Sequence, residues 1–166
     1  HMINRLQSKT YHHKIGEFIS YVMILFIFSF FSGVRFDVGV DHLQYYYLYR
    51  QVEHFQFVFS RTEWLFSALT VFFANNSIHA TVYFGAIAFI QLFFLLMAFK
   101  EQKYILPFLL FALLTSGTYF MFMNAIRQMI VFSLFLYSIR FIEQKNILAY
   151  VAFLFISFFI HKSVLI

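Results

Sequence analysis

Apolar runs of roughly membrane-crossing length alternate with short polar breaks from Phe18 to the end of the chain. Phe18 to Val34 is the first, just long enough for a hydrocarbon core of about 30 Å. A polar stretch follows from Arg35 to Arg61. Within it, Leu43 to Phe59 mixes tyrosine, phenylalanine, arginine and glutamine, which suits a helix lying in the membrane interface. Trp64 to Ala74 is apolar over only about half a span and closes on Asn75-Asn76-Ser77. Ile78 to Phe99 predicts a full span ending at Lys100-Glu101-Gln102-Lys103. Tyr104 to Met123 predicts another, with Pro107 in its first turn, where the missing N–H costs nothing. Ile126 to Ile142 predicts a third, with Arg127 and Arg140 near its ends, where long side chains can snorkel. Glu143 to Asn146 separates it from Ile147 to Ile160. The pattern predicts an all-α, polytopic integral membrane helix bundle, with four to five full spans and one short re-entrant or half helix.

Composition agrees. Of 166 residues, 62% are hydrophobic, 24% aromatic and 11% charged. A soluble domain is about a quarter charged, so the chain falls in the membrane class. The net charge of +5 is spread without a basic block, which fits topology signals and not nucleic-acid binding. With no cysteine, disulfides and cysteine-held metal are excluded. No small-residue cleavage site follows the first apolar run, so no signal peptide is evident. His1 precedes Met2, and the chain stops in the apolar Val164-Leu165-Ile166. The expectation is a single transmembrane domain over residues 1–166, the N-terminal fragment of a longer protein.

Topology decides which charges can meet. A re-entrant Trp64–Ala74 puts the basic leader (Arg5, Lys9, Lys14) on the same side as the turns around Lys100 and Glu143. Lysine and arginine then count seven inside and five outside; a full crossing would give five and seven. The positive-inside rule and the shortness of the segment favour the re-entrant form. Arg35, Asp37, Asp41, Glu63, Arg127 and His161 then all fall on the outer face.

The candidate chemistry lies in that set. Arg35, Asp37 and Asp41 form either an ordinary solvated loop with an anchoring arginine or a polar-ligand site, since Gly39 between the two acids allows a tight backbone. Asp37 and Asp41 are four apart and would face together on a helical turn. There is no Asp-x-Asp pair, and we predict no metal and no cofactor. Tyr45, Tyr46, Tyr47 and Tyr49 read as an aromatic belt at headgroup level, with sugar stacking as the alternative. Glu63 sits where the half helix begins, as a dipole partner or a functional acid. Asn124-Ala125-Ile126-Arg127-Gln128 places an arginine and a glutamine between apolar runs, which points to function unless the arginine snorkels. His161, with Lys162 and Ser163, interrupts an apolar helix, either as an interfacial histidine or as a working one. His54 and His79 read as interfacial.

Arg35-Phe36-Asp37-Val38-Gly39-Val40-Asp41-His42-Leu43-Gln44-Tyr45, the Glu63 segment, Asn124 to Gln128 and Phe159 to Ser163 together resemble the EpsG/Wzy-type family of bacterial polysaccharide polymerases. Their order and spacing are similar to the family's N-terminal half. The chain departs from it at Trp64, where the family usually has proline, and in ending where the family continues. The resemblance implies a multi-pass enzyme of the bacterial inner membrane, working at the periplasmic or outer face. It implies joining of oligosaccharide repeat units carried on undecaprenyl pyrophosphate, for O-antigen, capsule or exopolysaccharide. Partners implied are that lipid-linked oligosaccharide, membrane lipid, a chain-length regulator and a flippase.

On that reading the leaving lipid pyrophosphate needs cations, and arginine binds phosphate oxygens in two places while staying charged. Arg127 is the first choice and Arg35 the second, with Asn124, Gln128 and Tyr45 as further substrate-binding residues. The acceptor hydroxyl needs a base. Asp41 leads, then Asp37 and Glu63, with His161 as a relay. The alternatives are a membrane acyltransferase on lipid-linked sugars and a non-enzymatic transporter or assembly component.

Overall fold

The computed structural model describes residues 2–53 and 63–162, with side chains from Ile15 to Val52 and from Glu63 to Lys162. Among these residues every regular element is a helix: α1 (Met2–Val34), α2 (His42–Glu53), α3 (Trp64–Asn75), α4 (Ala80–Ala98), α5 (Leu106–Thr115), α6 (Thr118–Asn124), α7 (Ile126–Glu143) and α8 (Ile147–Ile160). α2 covers the first part of the expected interfacial helix; the remainder, with His54 and Arg61, lies outside the described residues.

Two segments are long and apolar enough to cross a membrane, Ile15–Val34 and Ala80–Ala98. A third follows if α5 and α6 are one span, though they bend by 73° at their junction. This is a membrane protein of helical class, with two to three such spans among the described residues where four to five were expected. The differences are local. α3 and α8 have only 12 and 14 residues, and α7 carries Arg127, Arg140 and Glu143. The expected single span from Tyr104 to Met123 is broken. Thr115 and Ser116 turn their hydroxyls back onto the carbonyls of Phe111 and Ala112, a pattern that bends helices. Gly117 then takes the left-handed conformation at φ +75°, which costs a residue without Cβ little.

α1 and α4 run antiparallel in close contact. A Cβ on Gly33 would stand 2.6 Å from the carbonyl oxygen of Thr81, and one on Gly85 would stand 3.2 Å from that of Ser29. Small residues let backbones approach where lipid offers no hydrophobic drive for association. At the opposite end of this pair, Lys103 Nζ lies 2.6 Å from Glu17 Oε2. The chain thus leaves α1 and enters α4 at the same end of this helix pair, and α3 between them is a short apolar helix of 12 residues. Phe18, Phe26, Phe108 and Leu148 face outward, as lipid-facing side chains do.

The interior has two apolar clusters. One joins Leu25 and Phe28 of α1 to Leu92, Leu95 and Leu96 of α4 and Phe122 of α6. The other gathers Tyr45 and Tyr49 with Phe66, Tyr83, Phe84, Ile87, Ile126 and Ile130. The tyrosine run is therefore not a uniform belt. Tyr45 and Tyr49 are buried, Tyr49 donates to the carbonyl of Ile78, and Tyr47 is exposed. Tyr45 and Tyr49 are four apart and so share one face of α2, while Tyr47 falls on the opposite side.

Candidate functional site

The site is built on interrupted helices. α7 begins after a break at Asn124-Ala125, where Ala125 adopts ψ 53°. The break leaves the carbonyl of Phe122 without a helical N–H, and the buried side chain of Gln91 bridges from it to the first turn of α7. Its Nε2 donates to the carbonyls of Phe122 (3.1 Å) and Ile126 (2.9 Å). Gln91 lies about 16 Å along α4 from Ala80 at 1.5 Å per residue, so α7 starts well inside the bundle. Arg127, its second residue, is consequently not a snorkelling arginine. A snorkelling side chain needs to be near a helix end at the bundle's edge, and this end is in its middle.

What Arg127 meets is Glu63. Glu63 precedes α3 with extended backbone and makes no capping bond with its side chain. Its Oε2 instead accepts from Arg127 Nη1 at 2.6 Å. Arg127 Nε donates to the hydroxyl of Tyr45 at 3.3 Å, and its guanidinium carbon stands 5.9 Å and 5.8 Å from the ring centres of Tyr45 and Phe66. The second oxygen of Glu63 faces the end of α8. There the helix stops in extended backbone at His161, whose Nδ1 lies 3.0 Å from Oε1, and the N–H of Lys162 donates to the same oxygen at 3.3 Å. The side chains of Glu63, Arg127 and His161 are 13%, 21% and 18% exposed. Four helix ends thus place a carboxylate between an arginine and a histidine, with a tyrosine hydroxyl alongside.

The chemistry of this arrangement follows from donor counting. An ionised carboxylate only accepts, so His161 Nδ1 carries the proton it shares with Glu63. The lone pair is then on Nε2, which has no hydrogen-bond partner among the described residues. A carboxylate that fixes the tautomer of an imidazole whose other nitrogen is free is the arrangement of a general base. Burial works against the charged form of Glu63, but backbone N–H groups, that of Lys162 among them, together with the nearby Arg127 and His161, outweigh it and hold the carboxyl below its ordinary range.

A second group lies next to it. Residues 35–41 form an irregular loop in which Asp37 and Gly39 have φ of +51° and +95°. Asp37 and Asp41 therefore do not share a helical turn. The Asp37 N–H donates to Nδ1 of the fully buried His42 at 3.2 Å. The carboxamide of Asn124 packs directly on Gly39, where any Cβ would collide with it. Arg35 lays its guanidinium over Phe84, 5.5 Å from the ring centre, and burial pushes it down to about 10, against a smaller opposing effect of Tyr119.

Of the residues expected to form the site, Glu63, Arg127, His161 and Tyr45 come together, and Arg35 and Asn124 join the adjacent loop. Asp37 is exposed, Asp41 contributes its carbonyl to the first turn of α2, and Gln128 faces outward. The side chains of these last three make no hydrogen bond or ion pair with the described residues. Gln91 and His42 had been overlooked. Gln91 was legible as a lone amide inside an apolar span, where a polar group must find a partner. His42 carried no such signal. Among the described residues no three His, Asp or Glu side chains gather as a metal site would require.

A family model described as the EpsG family matches residues 18–166. No curated protein and no solved structure matches the chain. The helices that bring Arg127, Glu63 and His161 together all fall within the matched residues, and the chain belongs to the EpsG family, a family of polysaccharide-polymerase type.

Proposed function

We propose that the protein is a glycosyltransferase of the bacterial inner membrane that polymerises undecaprenyl-pyrophosphate-linked oligosaccharide repeat units into a surface polysaccharide. The single observation that carries this reading is the bonding of Glu63 to Arg127 through one oxygen and to His161 through the other. In the reaction, His161 Nε2 takes the proton of an acceptor sugar hydroxyl as its oxygen attacks the anomeric carbon of the donor. The bond from that carbon to the lipid pyrophosphate breaks, and the pyrophosphate leaves as an anion stabilised by arginine. Glu63 orients the imidazole and stabilises its charged form. Asp41, whose side chain has no partner among the described residues, is displaced as leading base by this pair. The active face is the outer or periplasmic one. O-antigen, capsule and exopolysaccharide remain equal as products, and a chain-length regulator and a flippase are the expected partners.

Complementation tests this. The full-length gene, expressed in a polymerase-null strain with a matching repeat unit, should restore a ladder of surface polysaccharide. Glu63→Gln and His161→Ala should reduce the ladder to single repeat units at unchanged membrane levels, while Asp41→Ala should keep it. Full ladders from both site variants would overturn the assignment.

A further inference from the structure

Around Phe84 the protein buries hydrogen-bond donors with nothing to donate to. Nε and Nη1 of Arg35 are enclosed and have no partner. His42, fully buried, also lies against Phe84, its ring centre 4.9 Å from that of Phe84 and its plane tilted by 38°. Because its Nδ1 accepts from the N–H of Asp37, its proton resides on Nε2, and Nε2 also has no partner. Burial and the nearby Arg35 charge hold this imidazole below its ordinary value, which keeps it in that neutral tautomer. A buried donor left without an acceptor loses its hydration and gains nothing in return, so such a group is expected to have an acceptor during function.

The two arginines differ in what balances them. Arg127 has its charge matched by Glu63 at 2.6 Å. Arg35 makes no ion pair and no hydrogen bond with any described residue, although Asp37 and Asp41 lie in its own loop. Its guanidinium lies over the face of Phe84, 5.5 Å from the ring centre. A positive charge with a row of unused N–H groups is the complement of a phosphate oxygen.

We infer that Arg35 and Nε2 of His42 form an anion site for a phosphate ester, and that Arg127 positions Glu63 and does not hold phosphate. The inference rests on the polymerase reading for the identity of the ester, the pyrophosphate of the lipid-linked donor. His42 then has two tasks: Nδ1 shapes the loop through Asp37, and Nε2–H donates to the anion. The Gly39 backbone in the loop between Arg35 and His42 lies against the Asn124 side chain, so this loop packs on the break that precedes α7 and Arg127.

The test is binding without turnover. The full-length protein in phosphatidylcholine nanodiscs is titrated with inorganic pyrophosphate by calorimetry. Binding should be saturable, weaken roughly tenfold or more in Arg35→Gln, and stay within about twofold of wild type in Arg127→Lys. His42→Asn, which keeps an acceptor near Nδ1 but removes the Nε2 donor, should fold and bind more weakly. Arg35→Lys keeps the charge; its partial retention of binding separates loss of the site from loss of the fold. Wild-type binding in Arg35→Gln, or loss confined to Arg127→Lys, would overturn the inference. Nanodiscs containing phosphatidylglycerol distinguish the sources of phosphate: abolished pyrophosphate binding there would assign the site to a phospholipid headgroup and overturn the carrier assignment. Pyrophosphate binding that survives in Glu63→Gln, with the ladder lost, would show the two sites failing separately.

Discussion

The carboxylate of Glu63 and the guanidinium of Arg127 are 64 residues apart in sequence and 2.6 Å apart in space. Both are mostly withdrawn from solvent, so each is the condition for burying the other. Removing one partner of such a pair leaves an uncompensated charge, at a cost of about 3–5 kcal/mol. Glu63→Ala and Arg127→Ala should each lower stability by that order, and the double variant by clearly less than their sum. Thermal unfolding of the purified full-length protein in detergent measures the cycle. Additive losses would mean that the pair does not form.

Gln91 should matter although it lies outside the reacting groups. Gln91→Leu keeps the volume but strands the carbonyl of Phe122 and removes the second bond to that of Ile126, at about 1–3 kcal/mol for the buried group left unpaired. The start of α7 loosens and Arg127 with it. A lower melting temperature and a shortened polysaccharide ladder are expected together. An unchanged melting temperature would show that the break is held by other means.

The packing of α1 on α4 gives a paired test. Gly33→Val puts a branched side chain where a single Cβ would already stand 2.6 Å from the Thr81 carbonyl, and overpacking of this kind costs about 1–3 kcal/mol or more. Gly16, in the same helix, has nothing within 4 Å, so Gly16→Ala should be neutral or gain up to about 1 kcal/mol from helix propensity. Equal effects at the two glycines, read as melting temperature, would contradict the close crossing.

Arg35 predicts a pH dependence. Burial disfavours its charged form and brings its value down to about 10, below the ordinary arginine range. Pyrophosphate binding should therefore decline as pH rises through about 10, although the ligand itself becomes no less anionic. The sign for stability is opposite. Between the folded and ordinary values the unfolded chain binds more protons, so this group's contribution to stability rises with pH. Binding lost there is thus not explained by Arg35 unfolding the protein. Calorimetric titrations across this range check it, and binding that stays constant would place the anion elsewhere.

Much of the architecture was legible because it depends on local properties. An apolar run such as Ile78 to Phe99 must bury its backbone polar groups in a helix if it is to enter lipid. The apolar run Trp64–Ala74 likewise marked a short helix, and α3 has 12 residues. The bend at Gly117 was less legible, because Pro107 drew attention to the helix start while the hydroxyls of Thr115 and Ser116 determined its end.

Membership in the site was only partly legible. Glu63, Arg127 and His161 stood out singly as charged or titratable groups beside apolar runs, and so did Asp41, since cost of burial is a property of each residue. Which of them meet is not. That depends on α7 beginning beside Gln91 in mid-bundle and on α8 ending where α3 begins, which bring His161 to Glu63 across 98 residues and leave Asp41 with only its carbonyl engaged. Local composition was enough for the helical membrane class, the shortness of α3 and the set of residues costly to bury. The tertiary structure alone decided the partners, because a charge buried in a bundle is stabilised by whatever the packing of distant helix ends brings within hydrogen-bonding distance.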